Sequence, residues 1–274
     1  MHLLARFEPV RTASDLGVHP PRQVTSDRLS EGSVDACVAD LKRDGIALGL
    51  TLRPDIVDEI RAWADANPCY GNLCHSWGFS RPDRVRAEER AGAKFTVAHF
   101  FNTHDSPVIR SLAADPFFEE IAKRYVGPRA RFISTHMWWS FANDLSSSDR
   151  HKFAQQFHFD LDDYRFVKFF FYLTDVDEES GPHVYVRGSH RGKKLGDMFP
   201  MRRFSDEEVV EKWGERNIKR VVGPKGTGFV ADTFGIHKGQ PPRTKERLVL
   251  EFLWSQHDWG FGTDVVPPGE LSTL

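Results

Sequence analysis

The sequence lacks the features that would direct a chain to nucleic acid or to a membrane. Its 37 lysines and arginines are balanced by 39 aspartates and glutamates, so the formal net charge of -2 provides no basic field for nucleic acid. No apolar run approaches the roughly 20 residues that a membrane-spanning helix needs, and the early charges are unlike a secretory signal. We therefore expect a soluble, cytoplasmic protein whose partner is a small-molecule substrate.

Cysteine is also scarce. The three cysteines, Cys37, Cys69 and Cys74, are odd in number, and a chain of 274 residues can bury a core without disulfide bonds. Free thiols in a reducing compartment are therefore expected. In the alternative interpretation Cys69, Cys74 and His75 bind zinc, but no fourth ligand nearby closes such a site.

The chain divides into regions that differ in composition and in the spacing of apolar residues. Residues 1–32 mix proline, arginine, serine and aspartate without apolar periodicity, which predicts an irregular N-terminal arm. No linker divides the remainder, so residues 33–274 are expected to form a single domain. Its first half, 33–128, is predicted to be helical, and its second half, about 129–256, is predicted to contain most of the strands.

The helical half is predicted from apolar spacing and from residues that begin and end helices. A helix over 33–43 can be capped by Ser33 and stopped by Gly45. Further helices are expected over 54–66 and 106–125, where apolar residues recur at helical spacing. We expect these helices to be packing elements.

After Pro128 the chain turns to short β-branched and aromatic runs separated by turn residues. Several short strands at such spacing predict a sandwich or barrel, interrupted by a helix over 204–213. The fold class expected from this order of predicted helices and strands is mostly β, with flanking α-helices. The runs are 131–141, 155–160, 164–175, 183–189, 219–223, 226–234 and 246–255.

One short motif in the strand-rich half suits metal binding: His158-Phe159-Asp160. Residues two apart on a strand project from the same face, so His158 and Asp160 can converge on one ion while Phe159 points away. With 12 histidines and 39 acidic residues in the chain, chance alone gives on the order of one such triplet. The alternative is a histidine and an aspartate that merely end a strand.

The second part of the pattern lies downstream, at His237 and Arg247. Two histidines with one carboxylate form the ligand set that leaves half of the coordination sphere of Fe(II) open. On the strand 246–255, alternate residues are apolar and suit packing against helices, which leaves Arg247 and Glu251 on the opposite face. A buried guanidinium needs a carboxylate partner, so Arg247 predicts a dicarboxylate ligand. The alternatives are an exposed arginine at a strand start, or Arg243 in the preceding turn.

These residues together resemble the phytanoyl-CoA dioxygenase family of Fe(II)/2-oxoglutarate oxygenases. The matching features are His158-Phe159-Asp160, the stretch LTDVDEESGPHVYVRGSHR at 173–191, and His237 followed by Arg247. The helical first half is similar to the family's N-terminal layout as well, so the likeness covers roughly residues 33–256.

The resemblance implies a double-stranded β-helix (jelly-roll, cupin-like) core with the N-terminal helices packed on one sheet. It implies that His158, Asp160 and His237 bind Fe(II), and that Arg247 binds the distal carboxylate of the co-substrate 2-oxoglutarate. Reaction with O2 would then hydroxylate an unactivated carbon of a small-molecule metabolite, with release of succinate and CO2. The presence of Asp160 disfavours halogenation, whereas desaturation and ring formation stay open.

Several further residues are assigned with alternatives. Lys168, within a run apolar enough to be covered on both faces, either extends to an edge or meets a buried anion. We predict that it contacts the co-substrate, as does Thr135. The stretch 136–139 either lines the substrate cavity or fills the core. A basic cluster at 187–194 is interpreted as a solvated loop rather than as an attractor of anionic substrate.

Two other functions stay open on the same fold. One is a metal-dependent hydrolase, such as a zinc enzyme, that does not use 2-oxoglutarate. The other is a non-catalytic jelly-roll binding protein, in which any metal is incidental. The sequence identifies neither the primary substrate nor the oligomeric state, because one fold can host many reactions.

Overall fold

The computed structural model describes residues 19–143, 155–198, 203–260 and 263–274. Residues 1–18 of the predicted N-terminal arm lie outside these ranges. Across the described ranges, no helix is long and apolar enough to cross a lipid bilayer.

The strands are β1 (Leu29–Glu31), β2 (Ile46–Leu52), β3 (Cys69–Gly71), β4 (Gly78–Phe79), β5 (Val97–Phe100), β6 (Arg131–Ser140), β7 (Phe166–Tyr172), β8 (His183–Val186), β9 (Ile218–Val221), β10 (Thr227–Ala231), β11 (His237–Gly239) and β12 (Arg247–Ser255). The α-helices are α1 (Val34–Asp44), α2 (Pro54–Ala66), α3 (Arg84–Ala91), α4 (Pro107–Ala113), α5 (Pro116–Tyr125), α6 (Ser189–Gly192), α7 (Leu195–Met198) and α8 (Asp206–Trp213).

Helix α1 has the ends that the sequence predicts. The Ser33 side chain accepts a hydrogen bond from the amide of Ala36, which satisfies one of the free amides at the helix start. Gly45 follows the helix with a φ of 80°, in the left-handed region that glycine adopts most readily. The buried face consists of Val34, Cys37, Val38 and Leu41. The prediction of this helix is confirmed.

The helix predicted over 106–125 is wrong in one respect, because the chain forms two helices there, α4 and α5. Pro116 has no amide hydrogen with which to continue the first helix. Asp115 begins the second helix, since its side chain accepts a hydrogen bond from the amide of Phe117. The break is therefore encoded locally by an aspartate-proline pair.

The last residues of the predicted N-terminal arm, 1–32, include a short strand. Strand β1, at its end, pairs with β2, so that Leu29 lies opposite Leu52. The residues before it are also fixed by side chains, because His19 lies 2.8 Å from Glu120. The apolar pattern of three residues is too short to reveal such a strand, and its partner is supplied by tertiary structure.

The strands form two sheets in which every pairing between named strands is antiparallel. The larger sheet has the order β1-β2-β10-β7-β12-β6-β5-β3-β4, and the smaller has the order β11-β8-β9. Side chains from both sheets line one cavity. This is the jelly-roll core that the sequence predicts, mostly β with helices packed on one sheet.

Strand β12 shows why the two faces of the larger sheet differ. Leu250 and Phe252 belong to the main hydrophobic core, where the ring of Phe118 from α5 lies 6.2 Å from that of Phe252. Arg247 and Glu251, at alternate positions, line the cavity on the opposite face. The predicted division of this strand into a helix-packed face and a cavity face is confirmed.

The segment 155–160 differs from the continuous strand that the sequence predicts. Phe157 forms a single bridge with Phe204, and His158 forms one with His237. The amide of Asp160 donates instead to the carbonyl of Thr233, at 2.8 Å. No ladder extends along the segment, because successive residues bond to different parts of the chain.

Candidate metal centre

Three side chains from two distant parts of the sequence meet at one point: His158, Asp160 and His237. Their potential ligand atoms all lie within 4.8 Å of one another. Nε2 of His158 is 3.6 Å from Oδ1 of Asp160, and Nε2 of His237 is 3.6 Å from Oδ2 of the same carboxylate. Within the described residues, no other group of histidine, cysteine and carboxylate side chains gathers in this way.

The backbone holds the two histidines side by side. The amide of His158 donates to the carbonyl of His237 at 2.9 Å, and the reverse bond measures 2.8 Å. Directly opposed residues of an antiparallel pair project to the same face, and the two ring centroids are accordingly 4.3 Å apart. One reciprocal bridge therefore brings together two ligands that come from different segments.

Each imidazole is oriented by a hydrogen bond from its other ring nitrogen. Nδ1 of His158 lies 2.8 Å from the carbonyl of Gln156, and Nδ1 of His237 lies 2.9 Å from the carbonyl of Gly235. Because a carbonyl can only accept, Nδ1 carries the hydrogen and Nε2 keeps its lone pair. The donor set, two such nitrogens and a carboxylate, fits a divalent metal ion.

Burial and neighbouring charges set the protonation of these ligands. Burial lowers the pKa of His158 to about 3 and also lowers the pKa of His237, so both rings are neutral at neutral pH. Burial alone would raise the pKa of Asp160, but Lys168 and the two histidines outweigh it and hold that pKa well below its usual range. The ligands are thus already in the states that bind a metal.

Lys168 reaches this cluster from strand β7. Its Nζ lies 3.0 Å from Oδ2 of Asp160, 2.9 Å from Oδ2 of Asp162 and 3.7 Å from Oε1 of Glu251. Burial opposes the charge of the ammonium, yet the carboxylates raise the pKa of Lys168 well above its usual value. Of the two sequence-based interpretations, the structure bears out the buried anion. A contact between Lys168 and the co-substrate stays a prediction.

Arg247 begins strand β12 and is only 5% exposed. Its guanidinium donates to the carbonyl of Gly181 and lies 3.5 Å from the hydroxyl of Ser140. Among the described residues, its Nε has no hydrogen-bond partner. A buried guanidinium with an unsatisfied N–H group indicates an anionic ligand. The rival candidate Arg243 is exposed and lies 3.3 Å from Glu179.

One cavity of about 390 Å³ contains both the three clustered ligands and Arg247. Its volume lies within the range of about 300 to 1,000 Å³ that is usual for small-molecule sites. Apolar and aromatic side chains form much of the wall, among them Val97, Trp138, Phe170 and Phe229. The cavity therefore contains both a metal-binding cluster and an anion-binding group.

The position of Thr135 does not support its predicted contact with the co-substrate. On strand β6, His136 and Trp138 line the cavity, whereas Thr135 and Met137 lie on the alternate face. Thr135 is paired with Phe252, which belongs to the core under the helices. The same alternation divides the stretch 136–139 between the cavity and the core.

Two other groups named from the sequence lie away from the cavity. Cys69 is buried with its thiol 3.5 Å from the carbonyl of Phe79. In the described chain, Cys69, Cys74 and His75 do not gather as metal ligands, so the zinc alternative has no support. No residue of the basic cluster at 187–194 lines the cavity.

The sequence reasoning missed two histidines that line the cavity, His99 and His183. The ring of His183 stacks on that of His237, with centroids 5.5 Å apart, and the ring of His99 stacks on Trp138 at 5.7 Å. Burial lowers the pKa of His99 to about 3 and that of His183 well below its usual value, so both rings are neutral. Neither residue belongs to a spaced motif, and only the strand register brings them to the site.

A comparison with protein families finds one match over most of the chain. The model of the phytanoyl-CoA dioxygenase (PhyH) family matches residues 42–248. Among curated proteins, none matches the sequence.

Solved structures with a similar fold share little sequence with this chain. HygX from Streptomyces hygroscopicus, with nickel, 2-oxoglutarate and hygromycin B bound, is 16% identical, with a TM-score of 0.55 over 83% of this chain and 88% of HygX. EvdO2 from Micromonospora carbonacea var. aurantiaca, complexed with 2-oxoglutarate, is 15% identical, with a TM-score of 0.56 over 82% of this chain and 92% of EvdO2. The epimerase SnoN, in complex with Fe3+, alpha ketoglutarate and nogalamycin RO, is 19% identical, with a TM-score of 0.51 over 81% of this chain and 83% of SnoN. At these identities the likeness is one of fold.

Proposed function

The chain belongs to the phytanoyl-CoA dioxygenase family, and from this premise we propose that it is an Fe(II)- and 2-oxoglutarate-dependent oxygenase. His158, Asp160 and His237 bind the metal, and Arg247 binds the distal carboxylate of 2-oxoglutarate. One observation supports this most directly: two neutral imidazoles and a carboxylate meet in the cavity that also contains a guanidinium with an unsatisfied N–H group.

The three ligands leave coordination positions for other molecules, because a metal held by two histidines and one carboxylate has open sites. Fe(II) and 2-oxoglutarate, when bound, would supply from O2 an oxidant able to attack an unactivated carbon, with release of succinate and CO2. The hydrogen bonds from Nδ1 of His158 and His237 hold both rings in place for that metal.

The case for 2-oxoglutarate depends on Arg247. The guanidinium is positioned by Gly181 and Ser140, so its direction is fixed before any ligand arrives. A planar guanidinium matches a carboxylate with two parallel hydrogen bonds, and that pairing is strong where water is excluded. A 2-oxo diacid has both features that this arrangement requires, a carboxylate for Arg247 and a metal-binding end for the histidine cluster.

The rest of the cavity is the place for the primary substrate. His136 and Trp138 line it from strand β6, and they present both aromatic surface and a polar ring edge to a small-molecule metabolite. We propose hydroxylation, because it requires no further reacting group from the protein. The similar fold of the epimerase SnoN means that the fold alone does not select this outcome.

The proposal is tested by anaerobic titration of the purified protein with Fe(II) and 2-oxoglutarate. A weak visible charge-transfer band should appear only when iron and the 2-oxo acid share one centre. His237→Ala should abolish the band while leaving the far-ultraviolet circular dichroism unchanged, because it removes one of three metal ligands. Absence of the band in well-folded wild-type protein would overturn the proposal.

The same titration separates the alternatives. A metal-dependent hydrolase would bind metal and show no band with 2-oxoglutarate, and a non-catalytic binding protein would show neither effect. Succinate release, screened across a library of small metabolites, then identifies the substrate, because a true substrate should raise succinate release above the uncoupled rate. Mass analysis of the product distinguishes hydroxylation from desaturation, ring formation or epimerisation.

A further inference from the structure

His183 lines the same cavity as the metal cluster and Arg247. It begins strand β8 and is paired with Gly239, two residues after the metal ligand His237. Its ring is nearly parallel to that of His237, with an angle of 16° between the planes and 5.5 Å between the centroids. His183 therefore borders the metal cluster directly.

The same residue is connected to Arg247. The backbone amide of His183 donates to the hydroxyl of Tyr172 at 2.9 Å, and that hydroxyl interacts with the guanidinium of Arg247. The carbonyl of Gly181, two residues before His183, accepts a hydrogen bond from the same guanidinium. The ring of His183 thus borders the metal cluster, while its backbone is linked to Arg247 through the hydroxyl of Tyr172.

The ring of His183 has an unused hydrogen-bonding group. It is 7% exposed and lines the cavity, and its Nε2 has no partner among the described residues. Burial of a polar group without a hydrogen bond is unfavourable. The alternative role is aromatic packing, since the ring lies 5.1 Å from Phe170 and 4.9 Å from Phe229 between centroids. Packing alone would be served equally well by an apolar side chain.

We propose that the side chain of His183 donates a hydrogen bond to a carboxylate oxygen of 2-oxoglutarate, and so acts as a further binding residue beside Arg247. This inference rests on the proposed function, because it assumes that 2-oxoglutarate occupies the cavity. A neutral imidazole carries one N–H donor, and a hydrogen bond to an ionised carboxylate is among the stronger kinds. The bond also satisfies the ring nitrogen that is unpaired in the described structure.

The test compares His183→Phe, His183→Leu and His183→Gln by the dissociation constant of 2-oxoglutarate, measured anaerobically from the charge-transfer band at saturating Fe(II). The phenylalanine and leucine variants keep apolar packing without a donor, and either one serves if the other does not fold. Each should bind 2-oxoglutarate about tenfold to a hundredfold more weakly than wild type, as expected for loss of a hydrogen bond to a charged group. The glutamine variant retains an N–H donor and should keep most of the affinity.

Two controls separate co-substrate binding from other effects. The dissociation constant of Fe(II), measured without 2-oxoglutarate, should change by no more than about twofold in each variant. A change of that size is usual for substitutions that remove no specific interaction. His104→Phe replaces a half-exposed histidine that does not line the cavity. It should leave the dissociation constant of 2-oxoglutarate close to that of wild type.

The outcomes are distinguishable. If wild type gives no charge-transfer band, the proposed function fails and His183 is not at issue. If wild type gives the band and both donor-free variants bind 2-oxoglutarate normally, only the role of His183 is wrong. Equal losses in the glutamine, leucine and phenylalanine variants, or a loss of Fe(II) affinity without 2-oxoglutarate, would also overturn it.

Discussion

The ammonium of Lys168 lies 3.0 Å from Oδ2 of Asp160, the only carboxylate in the described metal cluster. The two residues come from different structural contexts, a strand of the larger sheet and a short bridge segment. Because Lys168 also contacts Asp162 at 2.9 Å, it offsets the repulsion between two acidic side chains that converge on the cavity. Lys168 therefore keeps Asp160 ionised and positioned before metal binds.

Replacement of Lys168 should make metal binding more sensitive to acid. Lys168 lowers the pKa of Asp160, so in Lys168→Met burial is opposed by less positive charge and that pKa rises. Protons then compete with metal for the carboxylate at higher pH. The midpoint for release of Fe(II) on acidification should move upward by about one pH unit or more. Anaerobic metal titration at a series of pH values measures this midpoint.

A matched control is available for that experiment. Lys238 is similarly buried and its ammonium lies 2.6 Å from Asp206, outside the metal cluster. Lys238→Met should leave the midpoint for metal release unchanged. Equal shifts in both variants would mean that the loss of an ion pair in general, and not the pairing with Asp160, controls metal release.

Replacement of Arg247 should weaken binding of 2-oxoglutarate. Arg247→Gln removes the cation but keeps a polar side chain, so the distal carboxylate loses its charged partner. The dissociation constant of 2-oxoglutarate should rise about 30-fold or more, as expected for a buried charge pair worth roughly 2 kcal/mol or more. Arg243→Gln changes an exposed arginine and should have no such effect. Unchanged affinity in Arg247→Gln would favour an enzyme that does not use 2-oxoglutarate.

The half-buried His99, whose Nδ1 is shielded from solvent, should contribute to loss of stability in acid. Its pKa is about 3 in the folded protein, whereas an unfolded chain takes up the proton near pH 6.5. The stability contribution of neutral His99 is therefore complete above about pH 6.5 and is lost as the pH falls toward 3. In His99→Phe, the free energy of unfolding should fall less steeply with decreasing pH, by up to about 1.4 kcal/mol per pH unit.

Urea denaturation at several pH values between about pH 6 and about pH 4 gives that slope. The exposed His104, whose side chain is 50% accessible, provides the control variant His104→Phe. It should leave the slope as in wild type, because its ring is solvated in both states. A wild-type slope in His99→Phe would show that the ring is protonated in the folded protein.

The three thiols should differ sharply in reactivity. Burial raises the pKa of Cys37 and of Cys69 to about 12, so neither forms appreciable thiolate near neutral pH. Cys74 is partly exposed. Iodoacetamide at about pH 8 should label Cys74 alone in the native protein and all three thiols in urea, as mass spectrometry of peptides would show. Native labelling of Cys37 or Cys69 would contradict the burial of these side chains.

The core between helix α5 and the larger sheet should be sensitive to truncation. Phe118 is fully buried, and its ring contacts those of Phe169 and Phe171 at 5.1 and 5.7 Å. Phe118→Ala should lower the free energy of unfolding by about 3 to 5 kcal/mol, because it leaves a cavity. Phe132 is 38% exposed, so Phe132→Ala should cost about 1 kcal/mol or less. Chemical denaturation compares the two, and similar losses would refute the packing described.

Local sequence predicted a large part of the fold because its signals act over a few residues. The cap at Ser33 and the left-handed Gly45 mark the two ends of helix α1. The alternation along β12 assigned Arg247 to the cavity face. Thr135 shows the limit of the same reasoning, since a strand pattern fixes which residues alternate but not which face meets a cavity when both faces are buried.

The sequence by itself determined which chemical groups are available: two histidines, a carboxylate and a downstream arginine. It also determined where helices end and which residues alternate along the strands. Only the tertiary structure decided which distant residues meet. The bridge between His158 and His237, the ion pair of Lys168 with Asp160, and the placement of His183 beside His237 all depend on the pairing of segments that are far apart in the chain. Such pairing is set by the packing of whole sheets, whereas periodicity and capping are properties of short segments.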